Sequence, residues 1–275
     1  MEHLKPNSSR SNHRSKTSGL ARWLCLAALA MALLCLLAVL IGALGTRLSW
    51  WTYRISLGML AGVFWLALLA SLIGIVGAAL AASRKASTGA ALAGILGVLI
   101  ALTMVYSPWK MRDTALRLPP IHDLSTDLDD PPKFDRVKAL RGPDDHPVAY
   151  DGPEVATLQR KAYPQLAPLI TPATRHHAFA AVSAVLAEMG LQIVASDATQ
   201  GRLEAIATSR LYGFKDDVVV RILANGLGSR IDIRSKSRVG RHDLGVNAQR
   251  IDEILLRLRS TLLSVVVPPP PAPGW

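Results

Sequence analysis

Charged residues are missing from three long stretches of the sequence. These stretches begin at Trp23, Ile55 and Ala86 and contain 24, 29 and 24 residues without Asp, Glu, Lys or Arg. A helix needs about 20 apolar residues to cross the hydrocarbon core of a bilayer, so each stretch is long enough to span it. We therefore predict three transmembrane helices, near 23–44, 55–82 and 89–107.

The predicted spans also contain no histidine, so they lack the ionisable side chains that transporters and proton pumps place inside a bilayer. This absence favours a membrane anchor over a transport pathway. The second span carries a GxxxG pair, Gly58 and Gly62, which lets a neighbouring helix approach closely. We expect the pair to pack within the three-helix bundle, with a dimer interface as the alternative.

Cysteine is scarce, and both cysteines, Cys25 and Cys35, lie in the first predicted span. They are ten residues apart, about 15 Å along a helix, which is too far for a disulfide. We interpret them as packing residues. The span that contains them follows a basic arm and is too long for the apolar core of a cleaved signal peptide, which favours a signal anchor.

The net charge of +11 is divided unevenly along the chain. Residues 1–22 contain five Lys or Arg and one Glu, whereas residues 110–275 contain 22 basic and 19 acidic residues. The second region is too nearly neutral for a nucleic-acid-binding domain, so we predict no nucleic-acid partner. Because basic arms stay in the cytoplasm, we predict an inner-membrane protein with a cytoplasmic N-terminus and a periplasmic C-terminal domain.

These patterns divide the chain into five predicted regions. They are a basic cytoplasmic arm (1–22), a three-helix transmembrane region (23–110), a proline-rich extended segment (111–153), a soluble α+β domain (154–265) and a proline-rich tail (266–275). Prolines in the extended segment are too dense for regular helices or central strands. This segment is therefore draped over the domain, functional in itself, or disordered.

Three aspartates in the extended segment, Asp127, Asp129 and Asp130, resemble the start of a calcium-binding loop. An EF-hand needs glycine at its sixth position and glutamate at its twelfth, but Pro132 and Lys138 stand there. We interpret the aspartates as turn-forming residues, and we predict no metal site and no cofactor.

Periodic patterns in the soluble domain predict two helices and four strands. The first helix follows an N-cap signal at Thr171 and Pro172 and ends at Gly190, and the last helix runs from Asn247 to Ser264. The strands are predicted at 191–196, 202–209, 218–223 and 230–235. The order helix, four strands, helix predicts an α+β sandwich, with an antiparallel four-stranded sheet and both helices on one face.

The turn around Asn225 and Gly226 also predicts a pairing register. A connection across Asn225 to Gly228 places Arg221 opposite Asp232, whereas a two-residue Asn-Gly loop places Arg221 opposite Arg230. Like charges directly opposite one another destabilise a sheet, so we predict the longer, four-residue loop from Asn225 to Gly228 and the pairing of Arg221 with Asp232.

Alternation in the last strand places its charged residues on one face of the sheet. We predict that this face is exposed to solvent, with Arg230, Arg234 and Lys236 forming a basic surface patch. The patch is either a solvated sheet surface or a platform for an acidic partner or lipid headgroups.

Two segments resemble a known family. They are TSRLYGFKDDVVVRI at 208–222 and RIDIRSKSRVGRHDLGVNAQRI at 230–251. Together they are similar to the domain of unknown function 1499 family, and PPIHDLSTDLDDPPKF, from residue 119 on, is similar to the start of that domain in membrane-anchored members. The resemblance implies a bacterial cell-envelope location. It supplies no catalytic residues, because the family has no established activity.

Four residues are weak candidates for catalysis: Asp216, Asp217, His242 and Asp243. They define one hypothesis, a membrane-tethered hydrolase. However, adjacent residues in an extended segment point to opposite faces, so Asp216 and Asp217 are badly placed to share a proton. The sequence therefore leaves enzymatic activity uncertain and favours a protein that is not an enzyme.

The residues before the last helix suggest a site for anions instead. Asn247 is a good N-cap, and the helix that follows presents free amides and the positive end of its dipole. The candidate anion-binding residues are Lys215, Arg238, Arg241, Asn247 and Arg250. As the alternative, the arginines pair with the chain's own aspartates, among them Asp216, Asp217 and Asp243.

The leading hypothesis is a non-enzymatic membrane protein that serves the cell envelope. Its predicted partners are the lipid bilayer and an acidic ligand, a lipid headgroup or another envelope protein.

Overall fold

The computed structural model describes residues 8–83 and 88–264, and the chain divides into two compact units after Asp113. The first seven residues of the predicted basic arm, the predicted cytoplasmic loop at Arg84 and Lys85, and the predicted tail 266–275 lie outside the described residues.

Within its described residues, the first unit contains three long helices, α1 (Ser8–Arg47), α2 (Tyr53–Ser83) and α3 (Thr88–Arg117), the last of which continues past Asp113. Each is long and apolar enough to cross a bilayer, over Ser18–Arg47, Tyr53–Ser83 and Thr88–Arg117. The prediction of three apolar helices is therefore confirmed.

Small residues bring these helices into close contact. A Cβ atom added at Gly94 would lie 2.7 Å from Cys25 Sγ, and one added at Gly97 would lie 2.8 Å from the Leu29 nitrogen. Both cysteines are free and buried, which agrees with their predicted role in packing. The predicted packing of Gly58 and Gly62 within the three-helix bundle is wrong. A Cβ added at either position meets no described atom of another helix within 4 Å, and both residues lie on the outer side of α2.

We expect Gly97→Ala to destabilise the first unit. The added methyl group would meet the backbone of Leu29, which cannot rotate away, so α1 and α3 would have to separate. Overpacking of this kind costs about 1–3 kcal/mol. Gly62→Ala is the matched control and should be neutral or stabilising by up to about 1 kcal/mol, because alanine favours helix and the site is open. Thermal unfolding of the full-length protein in detergent, followed by circular dichroism, measures both; equal melting temperatures would contradict this packing.

The second unit, described as far as Ser264, contains six strands and three further helices over that range. The strands are β1 (Asp123–Ser125), β2 (Leu169–Thr171), β3 (Gln192–Asp197), β4 (Arg202–Thr208), β5 (Lys215–Asn225) and β6 (Gly228–Ser237). The helices are α4 (Pro153–Ala162), α5 (Arg175–Glu188) and α6 (Val246–Ser264), and a 3₁₀ turn spans Arg136–Leu140.

All six strands form one antiparallel sheet in the order β1, β6, β5, β4, β3, with β2 also paired to β6. The prediction of four strands is therefore wrong by two. β1 and β2 have only three residues each, too few for an alternating pattern, and they share one edge of β6. The predicted register is confirmed, because Arg221 pairs with Asp232. The predicted loop length is wrong, because Asn225 pairs with Gly228 and the loop contains only residues 226 and 227.

Helices α5 and α6 cover one face of the sheet, as predicted. Their buried residues, such as Val182 and Ile251, join Val220 and Ile231 in the main hydrophobic core. The predicted helix start is wrong, because Thr171 belongs to β2 and pairs with Ser229. Thr174 caps α5 instead, and its hydroxyl accepts a hydrogen bond from the His177 amide.

The opposite face is covered by residues 126–151, which we call the strap. Phe134 and Val137 of the strap pack on Ile206 and Val219 of the sheet. The predicted exposure of this face is therefore wrong: the side chains of Arg234 and Lys236 are 2% and 0% exposed. Of the predicted patch, only Arg230 keeps substantial exposure, because it lies near the start of β6.

Candidate functional site: a buried ion network beneath the strap

The strap covers a layer of buried charged side chains. Five residues of β4, β5 and β6 on this face, and Arg238 directly after β6, have relative exposures of 4% or less: Glu204, Asp217, Asp232, Arg234, Lys236 and Arg238. A charge removed from water is costly unless it is paired and hydrogen-bonded. The partners that satisfy these charges therefore decide whether the strap stays in place.

Arg234 lies at the centre of this layer. Its Nε and Nη2 donate to the two carboxylate oxygens of Asp123, each at 2.8 Å, in a bidentate pair. Its guanidinium also donates to the carbonyl groups of Pro132 and Val148, which belong to the outgoing and returning halves of the strap. The Phe134 ring lies 4.7 Å from the guanidinium carbon, so the cation is also enclosed by an aromatic face.

Lys236 is the next residue on this side of β6. Its ammonium donates to the Ala149 carbonyl at 2.7 Å and to Asp151 Oδ1 at 2.5 Å, and it lies 3.2 Å from Asp123 Oδ2. An ammonium has three protons, and three acceptors of the strap and β1 surround it. Burial and the nearby Asp123 raise the pKa of the neighbouring Tyr150 to about 12.

Asp217 on β5 holds a third group of ions. It accepts hydrogen bonds from Arg238 Nη2 and Arg141 Nε, each at 2.8 Å. Arg238 in turn donates to the Leu140 carbonyl at 2.7 Å. One fully buried carboxylate thus joins a sheet arginine to a strap arginine.

The remaining buried carboxylates bind other parts of the strap. Asp232 accepts from Arg221 and Arg230, and both arginines also reach Asp127. Asp127 uses its other oxygen to accept the amides of Asp129 and Asp130, which confirms the predicted turn.

Glu204, the other buried carboxylate, caps the 3₁₀ turn. Its two oxygens accept the amides of Asp135 and Val137, each at 2.9 Å.

A stacked histidine pair lies beside Lys236. The rings of His122 and His146 are 4.1 Å apart between centroids and inclined by 25°. His122 Nε2 lies 3.2 Å from Asp151 Oδ2, and His146 Nε2 lies 3.1 Å from the Gly240 carbonyl oxygen. Burial lowers the pKa of His122, and this effect exceeds the opposite effect of Asp151.

The two adjacent aspartates among the candidate catalytic residues are held apart. Asp216 faces the helices and forms an ion pair with Arg250 at 2.6 Å, whereas Asp217 faces the strap. Their side chains therefore lie on opposite faces of the sheet, as the extended backbone predicts.

The other two candidates, His242 and Asp243, support the loop before α6. His242 Nε2 lies 3.1 Å from the Leu118 carbonyl oxygen, and its Nδ1 accepts the Leu244 amide at 2.9 Å. Asp243 accepts the amides of Gly245 and Asn247 at 2.9 and 2.8 Å. Burial raises the pKa of Asp243, although these two amides act in the opposite direction.

The candidate anion-binding residues do not form one cluster. Arg238 and Arg250 bind Asp217 and Asp216, which is the internal pairing that the sequence left open. The remaining two cations of the set, Lys215 and Arg241, are exposed.

The predicted N-cap role of Asn247 is wrong, because α6 begins at Val246 and Asp243 binds the free amides. Asn247 lies inside the helix and is fully buried. Its side chain bonds to Ser235 and Ser237 of β6.

Sequence reasoning missed the strap's contribution to this site. Asp123, Asp151 and Arg141 carry the main contacts, yet none follows a periodic pattern. The only signal is an excess of aspartates in the proline-rich segment, which complements the basic residues of β5 and β6.

The geometry defines a class of protein: three apolar helices joined to an antiparallel α+β domain whose polar sheet face is closed by its own strap. Residues 123–258 match the family described as protein of unknown function (DUF1499), so this domain belongs to that family. The crystal structure of TTHA0849 from Thermus thermophilus is 13% identical, with a TM-score of 0.24, over 37% of this chain and 97% of that chain. No curated protein matches the chain.

Proposed function

We propose that this is an integral protein of the inner membrane that displays its DUF1499 domain on the periplasmic side, where the domain binds or organises envelope components without catalysing a reaction. One observation carries the non-catalytic role: all four candidate catalytic side chains are engaged in contacts that hold the fold. A hydrolase that uses these residues is the competing hypothesis.

A catalytic acid or base must reach a substrate. Asp217 is 0% exposed and binds two arginines. His242 uses both ring nitrogens, and Asp243 uses both oxygens, in contacts with the chain itself. These contacts favour a structural role for all three residues.

An acidic ligand or partner is the proposed binding target. Lys215 and Arg241 are exposed, and the Arg238 amide donates to the Lys215 carbonyl, so the start of β5 and the loop after β6 meet at one end of the sheet. Exposed cations at one end of a domain attract anionic groups, such as phosphate headgroups or carboxylates.

The proposed periplasmic location follows from the basic N-terminal arm and three crossings. It is tested by fusing alkaline phosphatase or green fluorescent protein after Trp275. We expect an active phosphatase and no fluorescence, because the phosphatase needs the periplasm to form its disulfides. Fluorescence with an inactive phosphatase would overturn the location.

The binding role is tested by complementation of a strain that lacks the protein. We expect Lys215→Glu and Arg241→Glu to abolish complementation, because they reverse the exposed charge, while His242→Gln and Asp216→Asn retain it. Circular dichroism of each purified variant confirms folding. Loss of complementation in a folded His242→Gln protein, with both charge reversals active, would favour the hydrolase and overturn the proposal.

A further inference from the structure

Polar contacts hold the returning half of the strap to the sheet. Between Arg141 and Asp151, the strap reaches β6 through the carbonyls of Val148 and Ala149 and the carboxylate of Asp151. Apart from Val148, which packs beside Phe134, the described residues of this half supply no side chain to the hydrophobic clusters. Its attachment therefore depends mainly on charge and hydrogen bonding.

The stacked histidines join this half of the strap to the segment before β1. His122 precedes β1, and His146 lies in the strap, so their rings meet only while the strap is in place. His146 also binds the loop that follows β6: its amide donates to the Arg238 carbonyl at 2.7 Å, and its ring lies against Gly240.

Charged groups from every neighbouring element act on this pair. His122 faces Asp151 of the strap, Asp123 of β1 and Lys236 of β6. His146 lies beside Asp145 and receives a hydrogen bond on its carbonyl from Arg141. A proton added to the His122 ring enters a layer that already holds the buried cations Lys236, Arg234 and Arg238.

We propose that the strap is an acid-released cover: protonation of His122, within its stack against His146, detaches the returning half of the strap and uncovers the basic face of β6. Arg234 then loses the Val148 carbonyl, and Lys236 loses the Ala149 carbonyl and the Asp151 carboxylate. Release of the strap would regulate the proposed binding of an acidic ligand, so its biological use rests on that proposed function. The movement of the strap does not depend on ligand binding.

The direction of the pH effect follows from the environment of His122. Because burial lowers its pKa below 6.5, the closed strap takes up a proton less readily than the open strap. The closed form is fully stable above about pH 6.5 and loses stability as the pH falls below that value. One coupled proton changes the opening equilibrium by at most about tenfold per pH unit.

Hydrogen exchange of the full-length protein in detergent, read by mass spectrometry at pH 7.5, 6.5 and 5.5, tests this mechanism. After correction for the intrinsic pH dependence of exchange, we expect protection of residues 141–151 to fall about five- to tenfold between pH 7.5 and 5.5. Helix α5 serves as an internal reference and should keep its protection. A strap whose corrected protection is constant over this range would overturn the proposal.

Substitutions separate titration from a simple loss of packing. His122→Phe and His146→Phe keep an aromatic ring but cannot be protonated, so we expect the double variant to lose the pH slope, whatever its protection at pH 7.5. His177→Phe is the matched control, because His176 and His177 form an exposed ring pair on α5 with centroids 5.9 Å apart. It should retain the wild-type slope, and an unchanged slope in the double variant would also overturn the proposal.

Binding of poly-L-glutamate at pH 7.5 and 5.5 distinguishes this inference from the proposed function. We expect tighter binding at pH 5.5 in the wild type and no such gain in the double variant. A strap that opens in hydrogen exchange while poly-L-glutamate fails to bind would support acid release and overturn the acidic-ligand role.

Discussion

Asp217→Ala is expected to lower the free energy of unfolding of the second unit by about 3–5 kcal/mol, the usual cost of removing one partner of a buried ion pair. Asp217 is fully buried, and its loss leaves Arg141, which is 6% exposed, without its carboxylate partner, and Arg238, which is 5% exposed, with only Asp145 at 3.8 Å. Neither guanidinium can lose its proton, so both charges stay in the layer beneath the strap.

The neighbouring Asp216→Ala is the matched control. Asp216 pairs with Arg250 on the opposite face, where Arg250 keeps its hydrogen bonds to Ser235 and Asn247. The expected loss is about 1 kcal/mol. Native-state hydrogen exchange of amides in β5 and β6 measures both variants in the full-length protein. Similar losses of unfolding free energy for the two variants would show that the ion pairs beneath the strap stabilise the second unit no more than the pair of Asp216 with Arg250.

Strand register was predictable from the sequence, whereas strand number was not. Arg221 and Asp232 had to face each other, because the competing hairpin would have placed Arg221 against Arg230. No equivalent local rule exists for β1 or β2. Each is a three-residue strand defined by its partner β6, so only the tertiary structure identifies it.

The basic face of β6 shows what residue alternation cannot predict. Alternation correctly placed Arg234, Lys236 and Arg238 on the side away from the helices, but it carries no information on what covers that side. The cover comes from the strap, which lies about 90 residues earlier in the chain and has no periodic pattern of its own.

The start of α6 was predicted wrongly because two nearby residues could cap the helix. Asn247 and Asp243 are both suitable capping residues, and the backbone between them decides which one acts. Leu244 and Gly245 have φ angles of +55° and +82°, which turn the chain back and bring the Asp243 carboxylate onto the Asn247 amide. Gly245 suggests such a turn in the sequence, but Leu244 does not, because left-handed geometry is uncommon for leucine.

Asp123→Ala is the second variant with a large expected effect. Asp123 lies in β1, is fully buried, and binds both Arg234 and Lys236. Its removal leaves Arg234 without a carboxylate, while Lys236 retains Asp151, so we expect a loss of about 3–5 kcal/mol. Hydrogen-exchange protection of the strap should fall at pH 7.5, where wild-type protein keeps the strap closed.

Asp129→Ala is the control for this variant, because Asp129 is 91% exposed and its pair with Arg160 lies at the surface of the domain. Surface pairs contribute about 0–1 kcal/mol, so strap protection should change little. The double variant Asp123→Leu with Arg234→Met removes both charges of the central pair and should be more stable than Asp123→Ala alone, since an unpaired buried charge costs more than an apolar replacement of the pair. If Asp123→Ala left strap protection at the wild-type level, the strap would be held by Phe134 and Val137 rather than by the ions beneath it.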